Sequence, residues 1–169
     1  MKTIPTPIEG CSIINHNQHR DNRGFFQEFY HSGLFKTISF IPIQINHSFN
    51  FKYSLRGIHI APFKKVVSCV SGRIIDICVD FRKNSSTYLK HFKIELSHSG
   101  QQLLIPANCG HAFLSLEENT SVIYMQDSFY IPNDEQCIRY NSPRLAINWG
   151  VDENKLIISE KDNASEVLL

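Results

Sequence analysis

Residues 55–72, LRGIHIAPFKKVVSCVSG, place an arginine and a histidine three positions apart ahead of an apolar run that ends on a glycine. Valine, isoleucine and cysteine crowd the second half, so the stretch reads as a buried β-hairpin with Arg56 and His59 at its mouth. A run of similar texture, IPANCGHAFLSL, occupies residues 105–116 and brings a second histidine, His111. The two segments read as opposite halves of one double-stranded roll.

Outward from them the rhythm persists. GRIIDICVDFR (72–82), YLKHFKIELS (88–97) and NTSVIYMQDSFYIP (119–132) are short β-rich runs separated by Gly, Pro, Asn and Ser. That spacing predicts an all-β antiparallel fold, a sandwich or barrel. The paired halves narrow it to a cupin-type double-stranded β-helix, or jelly roll. Helical periodicity is weak and confined to FFQEFYHSGLF (25–35) and the C-terminal region, which predicts a few short helices. No repeat, low-complexity tract or linker divides the chain, so residues 1–169 are expected to form a single domain.

At 169 residues with 42% hydrophobic side chains, the chain can bury one substantial core. A formal net charge of +1 and no basic run give no reason to expect nucleic acid, so an anionic ligand must be met by local groups. The five cysteines, Cys11, Cys69, Cys78, Cys109 and Cys137, are odd in number and show no CxxC pair. They read as reduced thiols, mostly buried. The opening MKTIPTPIEGCSII lacks an apolar leader segment, and no window suits a membrane span, so the expected location is cytoplasmic, without a membrane partner.

Metal-binding cupins carry a second histidine two residues after the first. Here His59 is followed at that spacing by Ala61, so no metal site of that kind is expected.

Taken in order, DNRGFFQEF (21–29), QINHSF (44–49), LRGIH (55–59), KVVSCVSG (65–72), VDFR (79–82), IPANCGHAF (105–113), YMQDSFYIP (124–132) and ISEKD (158–162) resemble the dTDP-4-dehydrorhamnose 3,5-epimerases and their relatives on other nucleotide-linked 4-keto sugars. The resemblance runs from about residue 1 to 162. It implies a cupin jelly roll that dimerises by exchanging N-terminal strands, and an isomerase that needs no cofactor. The segment between His59 and Lys65 is shorter than the family pattern, and the aromatic pair is Phe129-Tyr130; both departures lie where sugar or base would be held.

Epimerisation beside a ketone requires a base, a group that stabilises the enolate, and an acid on the opposite face. His59 suits the base, since an unperturbed imidazole is largely neutral at neutral pH. The resemblance assigns Asp162 to orient and charge-balance His59, Lys65 to face the developing oxyanion, and Tyr124 to return the proton. Lys64 would point the other way along a strand. Tyr130, sharing strand parity with Tyr124, is implied to bind substrate. Arg56 and Arg23 match diphosphate-binding arginines, with Arg23 reaching into a neighbouring subunit. Phe26 and Glu28 would stack on the base and accept from its ring N–H, while Gln44, Asn46 and His111 would add hydrogen bonds. Arg20 and Arg82 read as surface or structural.

The expected activity is therefore inversion of C3 and C5 of a nucleotide-diphosphate 4-keto-6-deoxy sugar, of the dTDP-4-keto-6-deoxyglucose type or a GDP-linked 4-keto heptose, in the synthesis of surface polysaccharide. The alternatives are inversion at C3 only, a 3,4-ketoisomerase on the same class of substrate, or a non-catalytic cupin that binds a sugar nucleotide.

Overall fold

A computed structural model describes residues 2–168 of the chain. Fourteen strands and two short helices follow one another as β1 (Lys2–Pro5), β2 (Ser12–Asn15), β3 (Gln18–Asp21), β4 (Gly24–Gln27), α1 (Ser32–Lys36), β5 (Gln44–Asn50), β6 (Ser54–Ile60), β7 (Lys65–Ser71), β8 (Arg73–Asp80), β9 (His91–Ser97), β10 (Gln101–Ile105), β11 (Cys109–Ser115), β12 (Thr120–Gln126), β13 (Gln136–Cys137), β14 (Ile157–Ile158) and α2 (Glu160–Asn163). One sheet runs β1-β2-β10-β7-β12-β5 and the second β13-β6-β11-β8-β9, with β14 also on β6 and a separate β3-β4 ribbon. This is the mostly antiparallel, cupin-type roll that the alternation predicts.

The packing explains why β7, β8 and β11 read as near-continuous apolar runs. Between the sheets lie Val67 and Cys69 of β7, Ile74 and Cys78 of β8, Cys109 and Phe113 of β11, and Val122 of β12. Their sequence neighbours face outward and are also covered. Val66 and Met125 pack under Phe35 of α1 and Phe40. Leu55, Ile77, Val79, Ala112 and Leu114 pack under Ile138, Tyr140, Leu145 and Trp149 of the C-terminal segment. A strand buried on both faces loses the simple in-out alternation.

Three details differ from the sequence reading. Strands β6 and β7 are not a hairpin, because they belong to different sheets and the short APF segment carries the chain across the roll. The segments 55–72 and 105–116 are correspondingly only in part opposite halves: β7 lies in the sheet facing β11, whereas β6 pairs directly with β11. Of FFQEFYHSGLF only the end is helical, since Phe25 and Phe26 lie in β4 and pair with Arg20 and His19. Helix α1 starts where the His31 side chain caps the Leu34 N–H. All five cysteines are free, and all but the half-buried Cys137 are buried.

Candidate active site

The roll opens at one end into a cavity of about 440 Å³ lined from both sheets: Gln44, Asn46 and Ser48 of β5, Lys65 of β7, and Tyr124 and Gln126 of β12 from the first, with Arg56, His59, His111 and Phe113 from the second. In a regular strand Arg56 and His59, three positions apart, would point to opposite faces. They share the cavity because β6 carries a bulge there. His59 pairs with His111 and Arg56 with Phe113, so β6 has one more residue than β11 over this stretch. Gly57 makes the bulge possible: its φ is +106°, and a Cβ on it would lie 2.4 Å from the carbonyl oxygen of His111.

The same bulge orients the carboxylate behind the histidine. The Gly57 N–H donates to Asp162 Oδ2 at 3.1 Å, and His59 Nε2 lies 2.8 Å from Asp162 Oδ1. Asp162 is buried on α2, whose start is fixed by the Ser159 hydroxyl accepting from the Asp162 N–H. Burial works against the charge of Asp162, but the hydrogen bond and charge of His59 and the Gly57 N–H outweigh it and hold the carboxyl below its ordinary range. Burial likewise pulls the His59 imidazolium down. The Asp162 and Cys137 hydrogen bonds and the charges of Asp162 and Glu135 overcome that, and His59 is pushed up to about 9. The imidazole is therefore not the near-unperturbed base the sequence suggests. It is a stronger base, and largely protonated at neutral pH in the free protein.

Across the cavity, Lys65 is buried and burial lowers its ammonium below the ordinary lysine value, with Glu135 and Asp76 opposing the shift. Lys64 points outward, its Nζ donating to the Ser39 carbonyl. Burial raises the Tyr124 phenol, with Arg56 opposing it, so the hydroxyl keeps its proton at neutral pH. Arg56 Nε donates to Asn50 Oδ1 at 2.8 Å, which steadies the stem beneath its guanidinium. Gln44 donates to Asn46 and Asn46 to Gln126, forming an amide row along the wall.

His111 also has a carboxylate partner: its Nε2 is 2.6 Å from the fully buried Asp76 Oδ1. It is thus more than a loose hydrogen-bonding group, because this contact fixes its ring. Tyr130 lines the cavity, but not through strand parity with Tyr124. Strand β12 ends at Gln126, and Tyr130 is positioned by its N–H donating to Gln44 Oε1 at 2.9 Å.

Eight of the twelve site residues expected from sequence thus line one cavity, and Asp162 stands directly behind it. Arg23, Phe26 and Glu28 do not reach the cavity of their own chain. Arg23 is exposed and paired with Asp21 at 2.7 Å, while Phe26 and Glu28 border a separate cleft beside His16 and His19. Arg82 is structural, bonded to the buried Asp80 and the Glu9 carbonyl.

Sequence reasoning missed Glu135, Gln126 and Ser48. Gln126 and Ser48 were accessible from parity, each lying two residues beyond a residue already chosen, Tyr124 and Asn46. Glu135 sits in an irregular turn after Pro132 and has no periodic signal. His59, Cys137 and Asp162 also bring three metal-ligating atoms together within 4.8 Å of one another.

A family model described as dTDP-4-dehydrorhamnose 3,5-epimerase matches residues 5–169. The dTDP-4-dehydrorhamnose 3,5-epimerase of Escherichia coli is 35% identical over 170 residues, spanning 96% of this chain and 91% of its own. The structure of dTDP-6-deoxy-D-glucose-3,5-epimerase from Legionella pneumophila, in complex with dTDP-4-keto-L-rhamnose, superposes with a TM-score of 0.92 at 31% identity, over 98% of this chain and 92% of its own. A 3'-monoepimerase from Streptomyces bikiniensis in complex with dTDP-quinovose superposes with a TM-score of 0.90 at 27% identity, over 96% of this chain and 86% of its own. With its roll, its cavity and matches across nearly its whole length, the chain belongs to the dTDP-4-dehydrorhamnose 3,5-epimerase family.

Proposed function

We propose that the protein is a 3,5-epimerase acting on a dTDP-linked 4-keto-6-deoxy sugar. The observation that carries this reading is His59 on one sheet with Asp162 of α2 behind it, and Lys65 and Tyr124 contributed by the other sheet. His59, when neutral, removes the proton beside the ketone, and Asp162 stabilises the imidazolium that results. The Lys65 ammonium stabilises the enolate oxygen, in a buried setting where a charge-assisted hydrogen bond is strong. Tyr124 returns a proton from the opposite face. Arg56 holds the diphosphate through its fork, and Gln44, Asn46, His111 and Tyr130 fix the sugar and its linkage.

The nucleotide is read as dTDP in preference to GDP because the ligands of the two structural relatives are dTDP sugars. A 4-keto-hexose is read in preference to a heptose on the same ground. The product would serve surface polysaccharide synthesis, in the cytoplasm, where the five free thiols fit a reducing medium. Among the described residues, no helix is long and apolar enough to cross a membrane.

The working unit is read as a homodimer. Ile43, Ile45, Phe49 and Phe51 stand exposed on and beside β5, the unpaired edge of the first sheet, and Phe25 and Phe26 are exposed on β4. So much apolar surface suits an interface. Exchange of N-terminal strands would bring Arg23, Phe26 and Glu28 to the partner's cavity for the phosphate and base. Sedimentation of wild type, and recovery of activity on mixing R23A with H59N, would test it.

Incubation in deuterated water with dTDP-4-keto-6-deoxyglucose tests the activity. Deuterium should enter at both C3 and C5, and H59N should lose both by about 10²–10⁴-fold. The 3'-monoepimerase relative supports a second reading, inversion at C3 alone, in which only one position would exchange.

A further inference from the structure

Proton transfer uses His59 and Asp162 but leaves the thiol beside them without a role. Cys137 of β13 pairs with His59 across the backbone register, and its Sγ lies 3.7 Å from Asp162 Oδ1. We propose that His59, Cys137 and Asp162 form a binding site for a single thiophilic divalent cation, zinc foremost, and that the bound ion reversibly blocks the catalytic base.

The donor set is one imidazole nitrogen, one thiolate sulfur and one carboxylate oxygen, a combination that suits zinc and excludes hard ions such as magnesium. Bonds of about 2.0–2.3 Å place the ligand atoms of a tetrahedral site about 3.3–3.8 Å apart. The three atoms here lie within 4.8 Å of one another, with His59 Nε2 and Asp162 Oδ1 at 2.8 Å and Cys137 Sγ and Asp162 Oδ1 at 3.7 Å. Small rotations of His59 and Cys137 are enough to admit the ion. Among the described residues, this is the one group of three such side chains to converge so closely.

Supporting contacts already hold the ligands. The Gly57 N–H keeps Asp162 Oδ2, leaving Oδ1 for the ion, and the Ser165 hydroxyl donates to Cys137 Sγ at 2.9 Å. Such outer contacts orient ligands and raise affinity. Binding forms metal–sulfur and metal–nitrogen bonds at the expense of the Cys137 S–H proton and any proton on His59 Nε2, which pass to solvent, with no change of oxidation state. Water can complete the tetrahedron as fourth ligand. The site differs from the metal site of other cupins, which needs a histidine where this chain has Ala61. It inhibits because, with the ion on Nε2 in place of Asp162, the neutral ring carries its one proton on Nδ1, which then has no lone pair to take the substrate proton.

Cobalt(II) titration tests binding without substrate. Wild-type protein should take up one equivalent with an intense thiolate-to-cobalt charge-transfer band, and zinc should bleach it. C137S should lose the band, and C137S and H59N should each bind zinc at least tenfold more weakly; Cys11, Cys69, Cys78 and Cys109 remain in both variants as internal controls. A wild type without the band, or a band that survives in C137S, overturns the site. The inhibitory half rests on His59 being the base. Zinc should abolish hydrogen exchange in wild type, EDTA should restore it, and C137S should need at least tenfold more zinc for the same loss. Exchange that continues with zinc bound overturns that half alone, and the cobalt readout stands even if the substrate reading fails.

Discussion

Glu135 Oε1 lies 3.8 Å from Lys65 Nζ, and each of the two side chains is only 8% exposed. The carboxylate also reaches Lys161 at 3.4 Å, so it ties a buried cation in the cavity to an exposed one at the rim. Its negative charge opposes the lowering of Lys65 by burial and adds to the raising of His59.

Replacing Glu135 by Gln removes that charge from both neighbours at once. Lys65 should then lose its proton at lower pH and His59 should do the same. Both limbs of the pH profile of kcat/KM should move toward acid, the Lys65 limb further, since Glu135 acts on Lys65 by charge and hydrogen bond but on His59 by charge alone. A profile that stays in place, or moves toward alkali, would show that Glu135 does not act electrostatically on either group.

The contrast between Glu135 and His59 marks what the sequence made legible. Alternation and turn spacing carried the fold class, because strands that pack face to face in a roll leave period-two traces. They failed where strands are covered on both sides, as in β11, and where the chain leaves regular geometry. The hairpin assigned to residues 55–72 failed for this reason, since nothing local distinguishes a tight turn from the APF crossing between sheets. Nine of the residues chosen through the family pattern, not through periodicity, lie at or directly behind the cavity. Arg56 and His59 share a cavity only because of the bulge, which a period-two reading cannot supply. Glu135 was missed because a carboxylate in a polar turn looks like solvated surface until tertiary packing buries it.

The His59–Asp162 pair sets a pH dependence with a defined sign. The folded-state value of His59, about 9, lies above the ordinary 6.5 of an unfolded chain. Its contribution to stability is therefore complete below about pH 6.5 and is lost as pH rises through about 9. Activity runs the other way, because the base works only when neutral, so kcat/KM should climb with pH through the same region until Lys65 deprotonates. Denaturant midpoints at pH 6 and pH 10 for wild type and H59N check the first part, since only wild type should lose the pair's contribution. A kcat/KM that is flat between pH 6 and pH 8 would contradict the second.

Gly57→Ala should damage both the fold and the site. A side chain at φ +106° costs about 1–3 kcal/mol in backbone strain, and the added Cβ would meet the His111 carbonyl oxygen at 2.4 Å. Relief requires β6 and β11 to separate at the bulge, which carries His59 and the Gly57 N–H away from Asp162. A lowered melting temperature together with a fall in kcat of at least tenfold is the expected result. Full activity in a destabilised variant would mean that the bulge serves packing alone.

Tyr124→Phe separates removal of a proton from its return. Deprotonation depends on His59, Asp162 and Lys65, and the substitution leaves all three in place. Inversion needs a donor on the far face, where burial keeps the Tyr124 phenol protonated and where phenylalanine offers no proton. The variant should therefore exchange substrate hydrogen with deuterated water while returning deuterium to the original face, so that label accumulates without a change of configuration. Loss of inversion by about 10²–10⁴-fold with exchange largely kept is the signature, read by following label and configuration at C3 in the same sample. Inversion at near wild-type rate would move the acid elsewhere, and Tyr130, which lines the same cavity within 3.5 Å of Glu135 Oε2, is the group to test next.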